Sequence, residues 1–74
     1  MDDTALLNMV AEILEVEASE LALTDELDAL GWDSLANISF IADVDTATGV
    51  TIDADKLADA RTIADLHALV NTGV

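Results

Sequence analysis

The sequence predicts an all-α fold, a small four-helix bundle whose third helix is short, with a long ordered loop between helices one and two. Three observations predict it. Proline is absent and only three glycines occur, while Ala, Leu, Asp and Glu dominate, so helix breakers are few and helix formers many. Apolar residues recur at three- and four-residue spacing. Asp, Ser or Thr stands where the apolar series begin, as N-caps require. A length of 74 residues allows one domain, spanning 1–74, with a core small enough to feel single substitutions. No internal repeat or linker interrupts it.

The first helix is expected from about Asp3 to Leu14, capped by Asp3 or Thr4, with Asp2 and Asp3 matching the positive end of its dipole. Leu6, Val10, Ile13 and Leu14 form its core stripe, widened by Leu7 and Met9. The connection from about Val16 to Trp32 is long for a small domain. It carries its own apolar anchors, Val16, Leu21, Leu23, Leu27 and Leu30, and Thr24-Asp25-Glu26-Leu27 reads as a short capped turn. An ordered loop laid over the bundle is therefore expected.

Gly31-Trp32-Asp33-Ser34-Leu35 reads as a tight turn that delivers a serine to the second helix. Gly31 can take a positive φ without steric cost, and Asp33 and Ser34 are both good N-cap residues. The helix runs from Ser34 to about Ala47 and ends before Gly49, with Leu35, Ile38, Ile41 (or Ala42) and Val44 (or Asp45) at helical spacing. Val50-Thr51-Ile52 is extended, with Val50 and Ile52 as plugs. Asp53 caps a third helix, Ala54 to Ala60, that contributes Leu57. Thr62-Ile63-Ala64-Asp65 approximates a capping box and starts the last helix, which buries Ile63, Leu66, Leu69 and Val70. Up-and-down packing of the four elements follows.

Sixteen acids against Lys56 and Arg61 give a formal charge of −14. Self-repulsion on that scale weakens the compact state and eases with added salt or divalent ions. A hydrophobic content of 53% nevertheless excludes a disordered acidic tail. The charge argues against nucleic-acid and anionic-membrane partners and favours a basic protein surface approached under electrostatic steering. No apolar run could span a membrane, and Met1-Asp2-Asp3-Thr4 is acidic where a signal peptide is basic, so a cytoplasmic location is expected. Without cysteine there is no disulfide, thiolate metal site or thiol nucleophile.

A hydroxyl at Ser34 would lie beside the orphan amides of a first helical turn and the positive end of a dipole, a good place to hold a phosphate. G-x-D-S-L opening a helix in a small acidic chain resembles the acyl carrier proteins and related phosphopantetheine-dependent carriers, over about Leu6 to Val70. The resemblance implies that Ser34 is esterified through phosphate to a 4′-phosphopantetheine arm, with Gly31, Asp33 and Leu35 as its matching neighbours. It implies a phosphopantetheinyl transferase using coenzyme A, and a monomeric chain that does no catalysis itself. The arm's thiol, a sulfur this chain does not encode, would hold acyl or aminoacyl groups as thioesters for loading and synthase enzymes. Carriers of fatty-acid synthesis often have a glutamate where Ser39 stands and a phenylalanine where Thr48 stands. Those departures make the chain resemble a housekeeping fatty-acid carrier less and a free-standing carrier of a specialised pathway more; the family resemblance implies fatty-acid or polyketide biosynthesis.

Candidate docking residues are Trp32, Ile38, Asp43, Asp45, Asp53 and Asp55. Trp32 can anchor a partner or the arm, or simply close the loop against the bundle; the acids can dock a basic surface or form a solvated face. Lys56 and Arg61 relieve local repulsion. Asp43 to Asp53 resembles an EF-hand or dockerin calcium loop, but Ala47 stands at position five, the turn glycine comes one residue late and Ala54 stands where a bidentate glutamate is needed. An acidic decoy for a basic surface is a further alternative, with Ser34 irrelevant. His67 flanks the last helix's buried stripe and reads as a boundary histidine; without cysteine it makes no usual zinc site. A Ser-His-Asp enzyme ranks last, because so small a bundle leaves little room for a pocket with an oxyanion hole.

Overall fold

The computed structural model describes residues 1–72. Among the described residues four α-helices make the fold: α1 (Asp3–Leu14), α2 (Ser34–Thr48), α3 (Ala54–Ala58) and α4 (Ile63–Thr72). Single 3₁₀ turns at Ala18–Glu20 and Asp28–Leu30 punctuate the long connection. All four helices surround one hydrophobic core, in which Leu6, Val10, Phe40, Val44, Ile63 and Leu66 are fully buried. None of the described helices is long and apolar enough to cross a membrane.

Each helix starts on the side chain the local sequence offers. Asp2, rather than Asp3 or Thr4, caps α1 by accepting from the Ala5 amide at 2.8 Å. α1 stops at Glu15, which takes the left-handed conformation at φ 59°. Its buried face is Leu6, Val10 and Ala11, with Leu7, Met9, Ile13 and Leu14 packed at the margin. Asp53 caps α3 as expected, accepting from the Asp55 amide at 2.8 Å. However, α3 ends at Ala58, two residues early, and Asp59 closes it. In α4, Ile63, Leu66 and Val70 are buried, while Leu69 is only partly covered.

The long loop is ordered because its backbone is paired. The Leu27 amide donates to the Arg61 carbonyl at 2.8 Å, Ile63 to Asp25 at 3.2 Å and Ala64 to Leu23 at 2.8 Å, around an antiparallel bridge between Glu26 and Thr62. Leu21 and Leu27 are buried and Leu23 and Leu30 pack against the core, but Val16 stays exposed. The turn expected at Thr24–Leu27 lies earlier, where the Asp25 carboxylate accepts from the Ala22 amide at 2.9 Å.

α2 departs most from the predicted pattern. The inward residues are Ala36, Phe40 and Val44, whereas Leu35 is 74% and Ile38 64% exposed. The helix is apolar on nearly every side, so spacing alone does not choose a face; filling the core with the largest side chain, Phe40, does. It runs one residue further than predicted, to Thr48, and Gly49 ends it at φ 77°.

Candidate functional site

The site is the junction between the loop and α2. After the 3₁₀ turn Asp28–Leu30, Gly31 reverses the chain at φ 79° and ψ 24°. A Cβ added to Gly31 would meet nothing within 4 Å, so the glycine serves the left-handed backbone and not a close approach. Asp33 then extends the chain and caps α2, its Oδ1 accepting from the Ala36 amide at 2.9 Å while its carbonyl accepts from Asn37 at 3.0 Å. Of the two sequence candidates for the cap, the structure uses Asp33.

That choice places Ser34 at the first helical position, exposed. The amides of Ser34 and Leu35 occupy positions for which a helix has no carbonyl of its own. A hydroxyl and two N–H groups therefore face outward at the positive end of a 15-residue dipole. Such a set can offer hydrogen-bond donors and the positive end of a dipole to an anion.

The docking candidates separate. On a helix, Ile38 lies about one turn from Ser34 and Asp45 about three, all on one stripe. Asp43 sits about half a turn away, in a trough shared with Glu12, Ile13 and Ile38 against α1. Asp53 spends one oxygen on the α3 cap, and Asp55 is exposed in that helix's first turn. Trp32 is half-buried; its indole N–H donates to Asn37 Oδ1, and its ring meets Phe40 edge-on. Asn37 and Phe40 are not among the sequence candidates. The signal for Phe40 is the four-residue series Ala36, Phe40, Val44; for Asn37 there is none at helical or strand spacing.

Two alternatives lose their geometry. Residues 43–48 are helical, so Asp43 and Asp45 belong to α2 and not to a calcium loop. No group of three or more His, Cys, Asp or Glu among the described residues is arranged to hold a metal ion. His67 Nε2 lies 3.0 Å from Asp3 Oδ1, joining α4 to the start of α1.

Residues 4–70 match the family described as phosphopantetheine attachment site. A non-reducing polyketide synthase of Aspergillus terreus is 34% identical over 67 residues, which is 90% of this chain and 2% of that protein. An orsellinic acid synthase of Beauveria bassiana is 34% identical over 61 residues, 82% of this chain and 3% of that protein. The chain thus spans a few per cent of the length of these relatives.

Proposed function

The chain belongs to the phosphopantetheine attachment-site family, and from that membership we propose that Ser34 is the residue that bears its 4′-phosphopantetheine and that residues 1–74 act as one carrier domain. Membership implies a covalent phosphopantetheine arm and a carrier role. The observation that supports Ser34 in particular is its exposure at the first position of α2, inside G-W-D-S-L and within the matched residues.

In the proposed modification a transferase binds coenzyme A beside the α2 N-terminus. The Ser34 Oγ–P bond forms, the pyrophosphate P–O bond of coenzyme A breaks, adenosine bisphosphate leaves and the hydroxyl proton passes to a base on the transferase. The chain's own share is geometric and electrostatic: Asp33 fixes the first turn, and the helix dipole favours the phosphodiester by roughly 0.3–1 kcal/mol. That gain is partly offset by placing another anion on a chain of charge −14. Once attached, the arm supplies a thiol on a flexible tether, to which acyl groups are bound as thioesters. Tethering holds such a group at about millimolar effective concentration near a docked active site. The protein presents and makes no bond itself.

Both relatives are synthases, one of them a polyketide synthase by name, and we accordingly propose polyketide-type acyl cargo. Partner enzymes would meet the Ser34 stripe through Leu35, Ile38 and Asp45, with Asp43, Asp53 and Asp55 as flanking charges and Trp32 beneath. The test is intact-protein mass after incubation with coenzyme A and a broad-specificity phosphopantetheinyl transferase. Wild type is expected to gain one phosphopantetheinyl group and Ser34→Ala none. A folded wild type that gains nothing, or an alanine variant that gains as much, overturns the assignment.

A further inference from the structure

We infer that Trp32 and Asn37 form a clasp that positions Ser34 for modification, an inference that rests on reading Ser34 as the attachment residue. Trp32 is tied in three directions. Its backbone N–H donates to the Leu27 carbonyl at 3.1 Å, holding it to the loop. Its ring lies edge-on to fully buried Phe40, centroids 5.9 Å apart at 71°, holding it to the core. Its Nε1–H donates to Asn37 Oδ1, holding it to the second turn of α2. Asn37 is itself fixed, its amide donating to the Asp33 carbonyl at 3.0 Å. The side-chain bond therefore closes residues 32–37 into a loop with Ser34 inside it.

The Asp33 cap restrains Ser34 through the backbone of the first turn, and the clasp adds a side-chain restraint across the same turn. Gly31 is a permissive hinge with open space around it, and Leu35 is 74% exposed. The turn from Gly31 into α2 leaves Ser34 exposed, with the Asp33 cap and the clasp to set its direction. Attack on phosphorus demands near-attack geometry, and a displacement of about 1 Å can cost on the order of a hundredfold in rate. With its indole nitrogen engaged and its ring against Phe40, Trp32 is turned inward. It acts through Ser34's placement and does not touch the reacting atoms.

The test compares Trp32→Phe, which keeps an aromatic ring and loses the donor, with Asn37→Ala, which loses the acceptor. Transferase kinetics with coenzyme A are expected to show kcat lowered about tenfold in both, with KM within about twofold of wild type. Because the two substitutions break one bond, the double variant should lose no more than the worse single. Hydrogen exchange of the indole N–H, read by NMR, is expected to be slow in wild type, fast in Asn37→Ala and slow again in Asn37→Asp, which retains an acceptor. Val70→Ala in α4 controls for lost stability and should leave kcat unchanged. Variants loading as fast as Val70→Ala, or a wild-type indole exchanging as fast as free tryptophan, would overturn the clasp. A folded wild type that never loads removes the premise instead, with slow indole exchange still in place to tell the two failures apart.

Discussion

Helices α2 and α4 both start on an Asp or Thr cap beside the long loop, yet only the first turn of α4 is completed by the protein's own groups. At α4 the protein supplies everything. Asp65 Oδ2 accepts from the amides of Arg61 and Thr62 at 2.9 and 3.2 Å, and Thr62 Oγ1 accepts from the Asp65 amide at 3.3 Å. The Ile63 and Ala64 amides go to loop carbonyls, and Ile63 is fully buried. At α2 the Asp33 carboxylate takes one amide, Ala36, and the two residues before it face solvent. Helix-end chemistry is common to both. What distinguishes the two ends is that the first turn of α2 is left incomplete, with Leu35 and Ile38 exposed around it.

The largest expected effect breaks one end without touching the other. Ser34→Ala should abolish phosphopantetheine loading, seen by intact mass, and change stability by no more than about 0.5 kcal/mol. At the braced end the outcome inverts. Ile63→Ala should cost about 2–5 kcal/mol, most of the margin available to a domain this small, read as a large fall in the urea midpoint. Ile38→Ala, by contrast, trims a side chain that is 64% exposed and should stay within about 0.5 kcal/mol. Equal losses at Ile63 and Ile38 would mean that α2 buries a different face.

Next come the caps. Asp33→Ala and Thr62→Ala should each cost about 1 kcal/mol of unfolding free energy. Only Asp33→Ala is expected to slow loading of Ser34, because only that cap sets the turn that presents it. Similar slowing in both variants would attribute the loss to stability alone and erase the distinction between the two ends.

Much of this frame is legible from sequence where the cause is local. Gly31 takes its positive φ as expected, α2 ends before Gly49 as expected, Asp53 caps α3, and Thr62 with Asp65 forms the reciprocal cap. The placement of Ser34 at a helix start follows from Gly31 and Asp33 in the same way. Features that depend on tertiary choice are not legible. α2 offers Leu35, Ile38 and Ile41 on one side and Ala36, Phe40 and Val44 on another, and only packing decides which enters the core. The pairing of Leu27 with Arg61 joins distant segments. The Trp32–Asn37 bond spans five residues across a turn, a separation that neither helix nor strand periodicity marks.

The smallest expected effect is also the one with a pH signature. Asp65 is held below the ordinary carboxylate range, first by the backbone N–H of Arg61, then by that of Thr62, with the Thr62 hydroxyl and the Arg61 charge adding and slight desolvation opposing. A folded value below the unfolded one means that the unfolded chain binds the proton more readily. The carboxylate's contribution is therefore complete above the unfolded pKa of about 3.9 and is lost as pH falls through the folded value. Asp65→Asn keeps the shape and cannot titrate. Its deficit against wild type, measured as the difference in urea midpoint, should be present near neutral pH and close in the acid range. Removing one of sixteen acids also relieves repulsion, which works against the lost cap at neutral pH. Added salt screens that relief, so the deficit should widen between low and high ionic strength, while a deficit indifferent to both pH and salt would show that the brace at α4 owes nothing to the Asp65 charge.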